Sequence, residues 1–202
     1  MRTLVYLHGF ISSPESRKAV MLGDYVRGCV SGVDYRVPRL HHRPITAIAQ
    51  VTELCRGIDP ANLTFVGSSL GGFYATVLAE RLGCRAALLN PAVHPQRHFE
   101  RYLGPQRNLY TGEEFELTRE HVEDLRALDV ERITHPERYW LFVETGDEVL
   151  DYREAVGFYA GAVQEVVRGG DHALTCFPER IPEIVDWAMT DTFCLSGRES
   201  SR

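Results

Sequence analysis

The 202-residue sequence predicts an α/β fold, a doubly wound and mainly parallel sheet of about six strands. Three observations carry the prediction. Six short apolar runs alternate with stretches that read as helices, the pattern of a parallel sheet covered by crossover helices. A single segment, residues 94–135, breaks the alternation and reads as an insertion. Ser69, Asp147 and His172 each fall just after a run that reads as a strand, and ligands on such sheets bind beyond the carboxyl ends of the strands.

Residues 3–7 form the first buried strand, followed by His8-Gly9-Phe10-Ile11-Ser12-Ser13-Pro14. Ser13 suits a helix N-cap, Pro14 the first helical position and Glu15 the helix dipole, so a helix is expected from there toward residue 27. Residues 33–37 are a second strand, closed by Pro38. Ile45, Ile48, Ala49, Leu54 and Ile58 recur at helical spacing and predict a crossover helix over 45–58. The third strand is 63–66, a helix is expected over 73–82, and the fourth strand, 86–89, stops at Asn90-Pro91. The insertion mixes polar and aromatic residues and is expected to be small and helical, a candidate lid over the carboxyl edge of the sheet. The fifth strand is 139–143, with a helix over 152–160; the sixth is 163–167, and a last helix is expected over 182–189. Residues 1–190 are expected to make one domain, and the polar tail 191–202 to be disordered.

With 44% hydrophobic and 25% charged residues the composition is that of a globular protein able to bury a sizeable core. A formal net charge of −6 speaks against nucleic acid as a partner. Cys29, Cys55, Cys84, Cys176 and Cys194 are odd in number and lack metal-ligand spacing, so buried free thiols are expected rather than a disulfide framework or a zinc site. The first apolar run ends in His8-Gly9 instead of a cleavage site, and no stretch is long enough for a membrane span. A cytoplasmic protein without stable membrane insertion is therefore expected.

Gly67-Ser68-Ser69-Leu70-Gly71-Gly72 lies between a strand and a helix. The pattern G-x-S-x-G needs glycines because a sharp strand-to-helix turn leaves no room for side chains two positions before and after the serine. Such a turn exposes the hydroxyl above the sheet and aims the amino end of the next helix at the place where an oxyanion would form. Ser69 is thus the candidate nucleophile, His172 the candidate base, and Asp147 the carboxylate favoured to orient it, in the chain order of α/β-hydrolases. Asp151, Asp171 and Glu144 compete with Asp147, although Asp151 suits the cap of the following helix better. The loop after the first strand would supply an oxyanion donor from the backbone N–H of Phe10, with a second from Leu70, and His8 is expected to brace that loop.

Tyr6-Leu7-His8-Gly9-Phe10, Gly67-Ser68-Ser69-Leu70-Gly71-Gly72-Phe73-Tyr74-Ala75, Leu89-Asn90-Pro91-Ala92-Val93, Thr145-Gly146-Asp147-Glu148-Val149-Leu150-Asp151-Tyr152 and Gly169-Gly170-Asp171-His172 together make the chain closely similar to the bacterial YqiA-type esterases, small α/β-hydrolases, over residues 3–187. The resemblance implies an esterase or thioesterase acting on acyl esters, acyl-CoA included, with Ser69, Asp147 and His172 at the positions of the family's triad. Asp171 and the apolar pair Phe10-Ile11 depart from the pattern; asparagine is common beside that loop.

The expectation is a serine hydrolase that forms an acyl-enzyme on Ser69, needs no cofactor or metal, and takes a small-molecule acyl ester or thioester. A non-catalytic binding protein on the same scaffold, or an acyltransferase or amidase using the same three residues, is the alternative. Phe99, Tyr102, Leu103, Leu109, Tyr110, Phe115 and Leu117 of the insertion would either line an acyl site or pack on the sheet edge, and Arg97, Arg101 and Arg107 would either form a solvated charged face, the commoner meaning of such residues, or meet a phosphate-bearing leaving group such as coenzyme A.

Overall fold

The computed structural model of the chain describes residues 1–190. Its strands are β1 (Arg2–Leu7), β2 (Val33–Arg36), β3 (Leu63–Ser68), β4 (Arg85–Leu89), β5 (Gly104–Arg107), β6 (Glu114–Leu117), β7 (Tyr139–Glu144) and β8 (Val163–Val167). The helices are α1 (Arg17–Cys29), α2 (Pro44–Leu54), α3 (Leu70–Leu82), α4 (Arg119–Leu128), α5 (Tyr152–Phe158) and α6 (Phe177–Met189). Six strands form one parallel sheet in the order β2-β1-β3-β4-β7-β8. In its register Leu7 stands opposite Gly67 and Ser68 opposite Leu89, which brings the carboxyl ends of β1, β3 and β4 to one edge.

Successive side chains of a strand point to opposite faces, and each face here is buried by a separate set of helices, as a parallel sheet requires. Leu4, Tyr6, Val66, Leu89 and Phe142 pack with Leu22 and Val26 of α1 and Ile184 and Val185 of α6. Val5, Leu7, Phe65, Leu88 and Leu141 pack on the other side with Ile48 and Val51 of α2 and Leu78 of α3. Every residue of α3 from Leu70 to Ala79 is buried, so the helix after Ser69 is clamped all round.

The largest departures of element boundaries from expectation are at α1, α2 and α6. α1 opens at Arg17, because Ser13 caps a turn instead: its Oγ accepts the Glu15 N–H at 3.1 Å and its carbonyl the Ser16 N–H at 3.1 Å. α2 stops at Leu54, where Arg56 N–H bonds the Glu53 carbonyl and Gly57 takes a φ of +79°. α6 begins at Phe177, with Pro182 inside it; the missing N–H there would have met only the carbonyl of Pro178, in the first turn.

The insertion is not purely helical. It holds two 3-10 turns (Pro95–Arg97 and Phe99–Tyr102), the antiparallel hairpin β5–β6, and α4. The alternation Glu114-Phe115-Glu116-Leu117 is the period-two signal behind β6. Among the cysteines, Cys55 and Cys84 are buried and Cys176 is partly so, but Cys29 is exposed at the end of α1, contrary to the buried-thiol expectation. Cys194 and the tail 191–202 lie outside the described residues. Among the described residues no helix is long and apolar enough to cross a membrane.

Candidate active site

The turn between β3 and α3 carries Ser69 at φ 55° and ψ −121°, a conformation that non-glycine residues seldom adopt. The surrounding close packing explains the flanking glycines: a Cβ on Gly67 would lie 2.3 Å from the Gly71 carbonyl oxygen, and one on Gly71 would lie 2.0 Å from that of Leu7. Ser69 N–H donates to the Leu89 carbonyl at 3.1 Å, and its own carbonyl accepts from Gly72 and Ala92 N–H at 2.9 and 3.0 Å. The strained residue is thereby tied to β4, to α3 and to the loop after β4.

His172 Nε2 sits 3.1 Å from Ser69 Oγ, and His172 Nδ1 lies 2.8 and 3.0 Å from the two Asp147 oxygens. Because a carboxylate only accepts, the network assigns the ring proton to Nδ1 and leaves Nε2 free to accept from the serine hydroxyl. Burial pushes the Asp147 carboxyl up, but the bonds it accepts from His172 and from the Leu150 and Val149 N–H groups outweigh this and hold it below its ordinary value. The competing carboxylates lie elsewhere. Asp151 caps α5 by accepting from Arg153 N–H, and Asp171 Oδ1 is buried without a hydrogen-bond partner among the described residues.

Glu144, weighed from the sequence only as a rival acid, has a different task. The side chain at the end of β7 is buried and accepts from Asp171 N–H (2.8 Å), Thr175 N–H (2.9 Å) and Cys176 N–H (2.8 Å), and from the Thr175 hydroxyl. Burial alone would raise its pKa; these bonds instead bring it to about 2. Gly170 is glycine for the same reason, since its φ is +70° and a Cβ would fall 1.9 Å from Glu144 Oε2. From the other side Asn90 Nδ2 donates to the Asp171 carbonyl at 3.0 Å and to that of His172 at 3.3 Å, while Asn90 Oδ1 accepts the Glu144 N–H. Asn90 sits at φ 41°, a region asparagine tolerates better than most.

Across the cleft, the loop after β1 lies directly on the serine: a Cβ on Gly9 would be 3.3 Å from Ser69 Cβ. His8 braces the loop. Its Nε2 accepts the Leu40 N–H at 3.2 Å, its Nδ1 lies 3.1 Å from the Gly9 carbonyl, and burial holds its pKa below the ordinary value, so the ring is neutral. Phe10 packs against Phe99, Tyr102 and Phe115 of the insertion, with ring centroids 4.9 to 6.2 Å apart. Ile11, at φ 46°, accepts the Leu109 N–H at 3.0 Å, which ties the hairpin to the loop.

Ser69, His172, Phe10 and Leu70 line one cavity of about 750 Å³, together with Phe99, Tyr102, Leu109 and Tyr110 of the insertion. The insertion therefore does both things expected of it: Leu117 is buried in the core, and other rings face the cavity. Of the three insertion arginines only Arg101 reaches the cavity wall; Arg17 and Lys18 of α1, which the sequence reading passed over, reach it as well. Among the described residues no three His, Cys, Asp or Glu side chains are grouped so as to hold a metal ion.

Comparison with known proteins places the chain in a family. A family model described as "Uncharacterised protein family (UPF0227)" matches residues 3–189. A UPF0227 protein of Serratia proteamaculans (strain 568) is 25% identical over 150 residues, covering 73% of this chain and 77% of that protein. Among solved structures, a putative hydrolase from Agrobacterium vitis S4 superposes with a TM-score of 0.73 at 20% identity, covering 94% of this chain and 88% of its own. Est1E from Butyrivibrio proteoclasticus, solved with ferulic acid bound, superposes with a TM-score of 0.64 at 18% identity, with coverage of 94% and 88%. These likenesses and the six-stranded parallel sheet make the fold that of the α/β-hydrolases.

Proposed function

We propose that this chain, which belongs to the UPF0227 family, is a serine hydrolase that cleaves carboxylic esters or thioesters of acyl substrates through an acyl-enzyme on Ser69. The observation that carries the reading is the continuous path from Asp147 through His172 to Ser69 Oγ, with contacts of 2.8 and 3.1 Å, opening on the 750 Å³ cavity. Its size is that of a small-molecule site.

In this mechanism the Ser69 hydroxyl passes its proton to His172 Nε2 as Oγ attacks the acyl carbonyl carbon. The oxyanion forms between the backbone N–H groups of Phe10 and Leu70, at the amino end of α3, where the helix dipole also favours negative charge. Asp147 keeps the imidazole in the tautomer that can accept the proton and stabilises the imidazolium that results. His172 then protonates the departing alcohol or thiol. Water, deprotonated by His172, releases the acid and restores Ser69. The ferulic acid bound to the related Est1E fold is a carboxylic acid, the product class of such a reaction.

The test is turnover of p-nitrophenyl esters of graded acyl length and of matching thioesters by the wild type and by Ser69→Ala. Hydrolysis that disappears in the variant supports the reading. Turnover that survives the substitution overturns it, and absence of turnover on every ester and thioester favours a binding protein on the same scaffold.

A further inference from the structure

The loop after β1, which would bring the Phe10 N–H to the oxyanion, is poorly fixed by its own surroundings. Gly9, Phe10, Ile11 and Ser12 belong to neither strand nor helix. The same four residues line both the cavity that holds Ser69 and a second cavity of about 260 Å³ on the side of His8, Leu40 and Tyr74. The loop is therefore a partition with space on either face. Ile11 adds strain: a β-branched residue at φ 46° is an outlier, and such a conformation persists only where neighbouring groups impose it. The rings packed on Phe10 hold its side chain, but apolar contacts are non-directional and leave the tilt of the following peptides unfixed.

Directional contacts reach the loop from the turn that joins β5 to β6. Leu109 N–H donates to the Ile11 carbonyl at 3.0 Å, and Asn108 Nδ2 donates to the Ser12 carbonyl at 2.7 Å. The strained residue and the one after it are thus gripped by a segment 96 residues further along the chain. The Asn108 amide is itself held. Its Oδ1 accepts the Tyr110 and Thr111 N–H groups at 2.9 and 3.0 Å, which fixes its NH₂ as the end that faces Ser12. Its backbone is held as well, since Asn108 N–H donates to the Glu113 carbonyl at 2.8 Å and its carbonyl accepts the Gly112 N–H at 3.0 Å. A donor fixed on three sides can fix the carbonyl that it meets.

We propose that Asn108 is a positioning residue of the oxyanion hole: from the insertion it clamps the Ile11-Ser12 peptides and so keeps the Phe10 N–H aimed at the carbonyl that Ser69 attacks. The insertion then completes the oxyanion hole as well as covering the cavity. The role in turnover rests on the serine-hydrolase reading, but the clamp itself can be measured without turnover. Asn108→Asp is the sharpest variant, because it keeps the acceptor for Tyr110 and Thr111 and sets a carboxylate oxygen against the Ser12 carbonyl; Asn108→Ala removes both ends. Displacing one oxyanion donor is expected to lower kcat on p-nitrophenyl butyrate by about 10- to 100-fold in Asn108→Asp, with KM changed less than about twofold and the same factor at every acyl length. Inhibition by a trifluoromethyl ketone, whose carbonyl oxygen becomes an oxyanion when Ser69 Oγ adds to its carbon and the proton passes to His172, should weaken by a similar factor. Amide exchange followed by NMR should quicken at Leu109 in Asn108→Asp while Tyr110 and Thr111 stay protected. A kcat within about twofold of the wild type, a loss confined to KM, a loss without weaker binding of the ketone, or unchanged exchange at Leu109 overturns the proposal. If the wild type hydrolyses no ester while Leu109 exchange still responds, the hydrolase reading fails alone and the clamp stands.

Discussion

The wall of the cavity that carries Asp147 and His172 is held by hydrogen bonds, with Glu144 accepting from three N–H groups of the 171–176 loop and Asn90 donating to two of its carbonyls. The opposite wall, built by the loop after β1 and the insertion, is held chiefly by rings packed on Phe10, and its outermost residues, Leu109 and Tyr110, are 77% and 51% exposed. Hydrogen bonds are directional and fix atoms to within tenths of an ångström, which proton transfer between Ser69 and His172 requires. Apolar packing is non-directional and tolerates changes of shape, which would suit the variable acyl groups of the proposed reaction. Under the proposed function, one wall serves the chemistry and the other the fit of the substrate.

The largest effects should fall on the hydrogen-bonded side. Ser69→Ala and His172→Ala should each lower kcat by about 10⁴-fold or more, and Asp147→Asn by about 10²- to 10⁴-fold, since an amide there stabilises the wrong tautomer. Initial rates on p-nitrophenyl butyrate measure all three. If Asp147→Asn were neutral, the His172 wall would owe nothing to its carboxylate.

Glu144→Gln comes next. An amide cannot accept from so many donors at once, so kcat should fall about tenfold and chemical denaturation should show a loss of roughly 1–3 kcal/mol. A full loss of stability with unchanged kcat would mean that Glu144 serves the fold and not the position of His172. Its pKa is depressed from 4.5 to about 2. A depressed carboxylate contributes stability that is present above the unfolded value and is lost as pH falls through the folded one, so this wall should weaken between about pH 4.5 and 2.

The packed wall should respond in KM and chain-length preference. Tyr102→Ala is expected to change relative kcat/KM along a series of acyl lengths by less than about tenfold while changing kcat on the shortest ester little. Equal loss on all chain lengths would contradict the division between the walls.

The smallest effect concerns how the insertion docks. Thr118 N–H donates to His121 Nδ1 at 3.1 Å, so His121 carries its proton on Nε2 and donates to His42 Nδ1 at 3.0 Å. A further proton on either ring sets two hydrogens face to face. Burial, with Arg43, His41 and the rings themselves, lowers both pKa values below 6.5, against Glu113 beside His42 and Asp124 beside His121. A depressed histidine contributes stability that is present above its unfolded pKa and is lost as pH falls below it. Hydrogen-exchange protection of the hairpin, residues 104–117, should therefore decline below about pH 6.5, well before that of β7, and simultaneous loss would contradict it.

Much of this was legible in the sequence because it depends on neighbours along the chain. Ser69, Asp147 and His172 stand at strand ends, and the strands declare themselves by short apolar runs. Glu144 was not legible as a positioning group, because its partners return from residues 171–176 after a whole strand and helix. Ser13-Pro14 offered a sound helix start that the chain used for a turn, since local capping chemistry serves both. The hairpin escaped notice because four residues of alternation are a short signal, and Arg17 and Lys18 because charges at a helix start usually face solvent.

The central claim is that Ser69 is the activated nucleophile, and covalent labelling with a fluorophosphonate, located by peptide mass spectrometry, tests it most directly. The account predicts one adduct, on Ser69 and not on Ser68, lost in His172→Ala. Absence of labelling in the wild type, or an adduct on another residue, would contradict it.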